Sequence, residues 1–228
     1  LKADAWASWH SYLPSFWIHS PDKLYSWQDF DPKLYRHNSI GRYQNFYGLN
    51  YSFVVDFVSL SDPIQTRTWE ALVFQTLAEK WDFDARQFYE VEQRTFNKMI
   101  LYNRNQCTGL MTLIPKDQFT GGYLGQQVRD LGNGVTLISK DEKNWNVNNF
   151  RDVRINYESP IFITDLISRQ PDYFIDKILN DSSLDQDKPW YDQEKFRDKY
   201  LSIRLIFDNF DNTRLSLNYS VEDDMPSP

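Results

Sequence analysis

The sequence predicts a mainly β protein of antiparallel sheets and hairpins, either a sandwich or a propeller-like unit, with one or two short helices. Three observations carry that prediction. Apolar and polar residues alternate near both ends of the chain, which is the period of a half-buried strand. Turn-forming residues separate the alternating runs. The connections between runs are short, as expected for one continuous body of 228 residues rather than several separate ones.

The elements follow in chain order. "SWHSYLPSFWI" and "KLYSW" predict two strands, Ser15 to His19 and Lys23 to Trp27, joined by a Ser20-Pro21-Asp22 turn and followed by "LYRHN". In "YSFVVDFV", Tyr51, Phe53, Val55 and Phe57 share one face. "TWEALVFQTLAEKW" is ambiguous, because Trp69, Leu72, Val73, Thr76, Leu77 and Trp81 fit a helical face while Trp69, Ala71 and Val73 also suit a strand. Phe96 to Tyr102 and Thr108 to Ile114 predict a hairpin about Asn103 to Gln106, with Pro115 ending the pairing. Gly121, Gly122, Gly125, Gly132 and Gly134 mark a loop region before the short strand "NGVTLISKD".

Further on, the polar run Asn180 to Asp187 reads as a loop. A short helix is expected near 189–199, with Pro189 in its first turn, Asp185 and Asp187 before it, and Lys195, Arg197 and Lys199 near its end. "KYLSIRLIFDN" and "RLSLNYSV" then alternate on either side of an Asp/Asn turn and predict a closing hairpin. The organisation expected is one β-rich body over residues 1–228. Within it, residues 1–60 form an aromatic meander or propeller-like unit, and residues 61–228 form a sandwich-like part.

Composition narrows the function. A net charge of −7 with scattered basic residues argues against a nucleic-acid binder, which would show a basic face. The single cysteine, Cys107, makes no internal disulfide, and no run of apolar residues is long enough to span a membrane as a helix. Aromatics make up 17% of the chain, and four of its eight tryptophans (Trp6, Trp9, Trp17 and Trp27) fall near the start. Such rings suit large wet interfaces, where the ring is buried and its polar tip stays hydrated. The chain begins at Leu1 inside a patterned segment, so it is expected to be part of a longer protein.

Motifs for chemistry are sparse. His10, His19 and His37 have no ligand spacing, even with Asp22, Asp29 or Asp31 added, so no metal or other cofactor is predicted. "WDFDARQFYEVEQ" sets Asp82, Asp84, Glu90 and Glu92 among rings, as a glycosidase would, but the same spacing suits the solvated face of a hairpin. There is no GxSxG elbow, and "GGYLGQQ" lacks the context of a phosphate cradle. No catalytic residue is predicted.

One set of segments carries a resemblance. "SWHSYLPSFWI", "KLYSW", "LYRHN", "GRYQNFYG" and "FVVDFV", followed in order by "ILYNRNQCTGLMTLI", "FRDVRIN" and "KFRDKYLSIRLIFDN", resemble the tail muzzle or nozzle proteins of crAss-like, short-tailed bacteriophages. The resemblance implies a non-enzymatic virion component of the distal tail, assembled in the bacterial host cytoplasm. It further implies a homo-oligomeric ring that touches neighbouring tail proteins and guides DNA or ejected proteins into the host. Trp6, Trp9, Trp17, Trp27, Tyr35, His37 and Tyr47 are expected as structural and interface residues of such an assembly. The rival expectation is a carbohydrate-binding or glycoside-hydrolysing module on the virion, with the tryptophans in an open row against host surface glycan.

Overall fold

A computed structural model describes residues 12–21, 23–37, 43–60, 65–116, 135–148, 150–155, 180–185 and 187–226. Trp6, Trp9, His10 and the glycine-rich loop between 117 and 134 lie outside these residues. The regular structure of the described residues is almost all strand.

The N-terminal meander is a three-stranded antiparallel sheet of β1 (Phe16–His19), β2 (Leu24–Gln28) and β3 (Asp31–Arg36). Ser20 and Lys23 exchange backbone hydrogen bonds at 2.9 and 3.3 Å to close the first turn. A small hairpin follows, β4 (Asn45–Phe46) and β5 (Leu49–Asn50). Its turn residues Tyr47 and Gly48 both have positive φ, 54° and 81°, the conformation of a two-residue hairpin turn whose twist matches its strands.

The remaining strands form one ten-stranded sheet that curls into a half-barrel. They are β6 (Phe53–Ser59), β7 (Arg67–Asp82), β8 (Gln87–Glu90), β9 (Lys98–Tyr102), β10 (Met111–Pro115), β11 (Val135–Asp141), β12 (Asn144–Val147), β13 (Phe196–Asp198), β14 (Leu201–Phe207) and β15 (Arg214–Pro226). From one edge the order is β6, β14, β9, β10, β11, β12, β7. On β7, β12, β13 and β8 share one side, and β15 runs along the other as the opposite edge. Membership of the large sheet therefore begins at Phe53. All described pairings are antiparallel except β10 with β11, whose linking segment is long enough for the crossover that a parallel pair needs.

The ambiguous segment is a strand, and a bulge explains the ambiguity. β15 pairs Asp223 with Ala71 but Asp224 with Trp69, leaving Glu70 as an extra residue on β7. The bulge shifts the phase of the side chains, so Trp69 and Leu72 both face the core three residues apart, as in a helix. Beyond it, Leu72, Phe74, Thr76 and Ala78 are buried in strict alternation.

Two expectations need correction. The predicted helix near 189–199 is only a 3₁₀ turn, Trp190–Asp192, followed by strand β13. Asp185 accepts the Asp187 N–H at 2.8 Å in a local turn, and fully buried Phe196 is drawn into pairing with Trp69. Tertiary pairing thus overrides the helix signals. The closing hairpin is likewise not one: both strands exist, but β14 is flanked by β6 and β9, and β15 pairs β7. The turn between them is held by its own groups. Asn209 Nδ2 donates to the Thr213 carbonyl at 2.8 Å, and Asp211 pairs with Lys80 at 2.8 Å and Arg94 at 3.1 Å.

The main core lies on the concave arrangement of Trp69, Phe74, Phe96, Trp145, Leu205 and Phe207, all essentially inaccessible. A second cluster, Ile100, Tyr102, Cys107 and Ile206, occupies the other face. It is covered by an irregular strap. Asp152 Oδ1 accepts the Cys107 and Arg154 N–H groups, each at 3.0 Å, and Val153 N–H donates to the Cys107 carbonyl at 3.0 Å. β14 is consequently buried on both faces, although its sequence alternates as a half-exposed strand does.

Candidate protein interface

Strand alternation gives the N-terminal sheet two different faces. Trp17 pairs with Ser26 and Ser26 with Tyr35, so these three share the inner face. Buried Ser26 is the polar centre of an aromatic cluster, its hydroxyl hydrogen-bonded to His37 Nε2 at 2.5 Å and to the Tyr47 hydroxyl. Tyr12 stacks on Phe46 at 3.9 Å and on His37 at 5.3 Å between ring centroids, and Trp17 leans on His37 at 5.2 Å. Tyr35 meets Tyr47 edge-on at 4.8 Å and donates its hydroxyl to Asp31. Burial, and secondarily Tyr47, raise the Tyr12 pKa; the Asp31 hydrogen bond, then burial, raise that of Tyr35. His37 is thus a hydrogen-bonding wall residue among rings, and the cluster joins the meander to the β4–β5 hairpin.

The outer face has another character. Phe16 pairs with Trp27, Ile18 with Tyr25, and Tyr25 with Arg36, with Leu34 two residues before Arg36 on the same side. Phe16 is 57% exposed, Ile18 42%, Trp27 41% and Leu34 57%. At the tip between β2 and β3, Phe30 is 98% exposed. Scattered apolar residues on a surface are ordinary; a contiguous sheet face of them marks a contact site.

Of the residues singled out from sequence, Trp17, Tyr35, His37 and Tyr47 come together on the inner side and Trp27 stands on the outer one. Trp17 and Trp27 belong to opposite faces and make no common row. Phe16, Ile18 and Leu34 do not stand out in the sequence beside the tryptophans, tyrosines and histidines. The pairing of Phe16 with Trp27 across the predicted turn carried the signal that would have found them.

The acidic cluster has local partners. Asp82 Oδ1 accepts the N–H groups of Asp84 and Ala85 at 2.8 and 3.0 Å, shaping the β7–β8 turn. Glu90 lies opposite Glu79 in the ladder and 3.8 Å from Lys140, which also donates to the Glu92 carbonyl. Among the described residues, no three His, Cys, Asp or Glu side chains are grouped to hold a metal ion, and no helix is long and apolar enough to cross a membrane.

The family described as the Crassvirus muzzle protein C-terminal domain matches residues 41–152. Over that span the chain is similar to the C-terminal domain of crAss-like phage muzzle proteins. A comparison with curated proteins finds no match. The matched span runs from the aromatic hairpin through β12, so it holds Phe46, Tyr47 and most of the large sheet, while the outer face of β1–β3 precedes it. A muzzle domain is a structural component of a phage, and its family implies a place in the virion tail among other tail proteins.

Proposed function

We propose that this muzzle domain packs with further copies of itself and with neighbouring tail proteins in a ring about the tail axis, through which DNA or ejected proteins reach the host. The observation that carries this reading is the outer face of β1–β3, where Phe16, Ile18, Trp27 and Leu34 lie open to solvent side by side. Aromatic and aliphatic side chains brought together in this way provide the buried centre of protein interfaces. Ile18 and Leu34 offer no hydrogen bonds to sugar hydroxyls, so the face favours protein over glycan. Residues 1–60 then act as the docking unit and residues 61–228 as the body. A net charge of −7 keeps a channel wall from holding phosphate in transit. Assembly takes place in the host cytoplasm before release.

Peptide mapping of purified particles, with copy number measured against the portal, tests the ring. A copy number matching a tail ring is expected; a chain absent from particles overturns it. In the same particles, Ile18→Asp with Trp27→Ser should abolish incorporation while the free chain keeps its unfolding midpoint. Unchanged incorporation would remove the outer face from the assembly.

A further inference from the structure

Among the described residues, the two long edge strands of the large sheet, β15 and β6, are built differently. Among the described residues β15 pairs only β7, and its register shifts twice, between Leu217 and Tyr219 and between Asp223 and Asp224. Its sequence carries Glu222, Asp223 and Asp224 and ends in Pro226. Bulges, charge and proline are the devices that keep an edge from accepting another strand.

β6 has neither bulge nor proline. It pairs with β14 over seven consecutive residues without a register shift. Its sequence, Phe-Val-Val-Asp-Phe-Val-Ser, holds one charge, and both carboxylate oxygens of that Asp56 are taken by Arg204 of β14 at 2.6 and 2.7 Å. On its outer side β6 pairs with no described residue. Alternate residues there turn N–H and C=O outward. Phe53, Val55 and Phe57 pack against the core but stay only partly buried, and Val58 is 60% exposed.

We infer that β6 is completed in the virion tail by an extended strand donated by a neighbouring protein. Only a polypeptide backbone presents N–H and C=O groups in turn at strand spacing, so a glycan or nucleic acid cannot replace it. The donated strand carries apolar residues at alternate positions beside Phe53, Val55 and Phe57, and no acidic residue beside Asp56, where like charges would repel. The choice of donor rests on the proposed ring in one respect. A head-to-tail ring has no two-fold axis to bring β6 of a second copy alongside, and the second copy's β15 edge is blunted.

The test uses the full-length muzzle in assembled particles. A photo-crosslinking residue at Val58 is irradiated in purified virions, and the attachment sites are mapped by mass spectrometry. Amide exchange over residues 53–59 is compared between free and assembled protein. Cross-links landing on one segment of another tail protein with alternating apolar residues are expected, with exchange at alternate amides slowed at least tenfold on assembly. Cross-links confined to this chain or to a second copy, or exchange unchanged by assembly, would overturn the inference. A donor cross-link in particles lacking a muzzle ring would sink the ring and spare the strand; an intact ring without the cross-link would do the reverse.

Discussion

Arg204, on a strand buried on both faces, reaches across to Asp56 at the sheet edge and grips its carboxylate with two parallel hydrogen bonds of 2.6 and 2.7 Å. The arginine side chain is 4% exposed and the aspartate 47%, so the pair is buried at one end only. Removing the carboxylate leaves a buried cation behind, whereas removing the cation leaves an anion that water can reach. Asp56→Ala is therefore expected to destabilise by about 2–3 kcal/mol and Arg204→Met by less, although both remove the same ion pair. Urea unfolding of the two variants checks the order; equal losses would show that the aspartate end is desolvated too.

A second expectation concerns alkaline pH. Burial pushes the Cys107 thiol up to about 12, and it pushes the Tyr102 hydroxyl up to about 12 as well, against a Ser202 hydrogen bond that lowers it. The unfolded chain releases these protons at lower pH, so the folded state binds more protons between about pH 9 and 12. The associated stability is fully present below pH 9 and falls as pH rises through that window, by up to about 1.4 kcal/mol per pH unit for each group. Unfolding at pH 8 and 10.5 should differ in this direction, and Cys107→Ala should flatten the decline. Cys107 should also resist alkylation at pH 8 until the protein unfolds.

Thr76 and Thr95 share a buried hydroxyl–hydroxyl hydrogen bond of 2.9 Å behind β7. Either single change to Val strands the other hydroxyl and is expected to lose about 1–2 kcal/mol, while the double change recovers most of that. A double-mutant cycle by denaturant unfolding measures the coupling. Additive losses would mean that the two hydroxyls are satisfied elsewhere.

Gly48 holds φ +81° with nothing within 4 Å of where a side-chain carbon would sit. Gly48→Ala is accordingly expected to lose about 1–2 kcal/mol from backbone strain alone, without a clash. Gly48→Asn should lose less, because Asn tolerates this conformation. Thermal unfolding of the pair decides the matter; equal losses would point to a steric cause instead.

Strands were more legible in the sequence than their partners. The alternation in Phe53–Ser59 and Leu201–Phe207 shows where strands are, because side-chain period is a local property. Pairing is not local. Nothing near Phe207 signals that Leu201–Phe207 sits between β6 and β9 and leaves β15 to β7. The bulge at Glu70 disguised β7 by changing the phase of burial within one strand. The acidic residues before Pro189 looked like a helix start but serve turns, because Phe196 completes the core in an extended chain. At the site, His37 and the rings around it stand out in the sequence itself. The open face was not, since Ile18 and Leu34 acquire meaning only once the register is known.

The place of β14 also governs how the chain comes into being. The strand that holds β6 and β9 together leaves the ribosome some 150 residues after its first partner. Until Leu201–Phe207 emerges, Phe53–Ser59 and Lys98–Tyr102 have no neighbour between them and must wait with apolar sides uncovered. Contacts so distant along the chain make for slow closure and a long period open to misassociation. A nascent chain interrupted before Phe207 is thus one with sticky strands and no keystone.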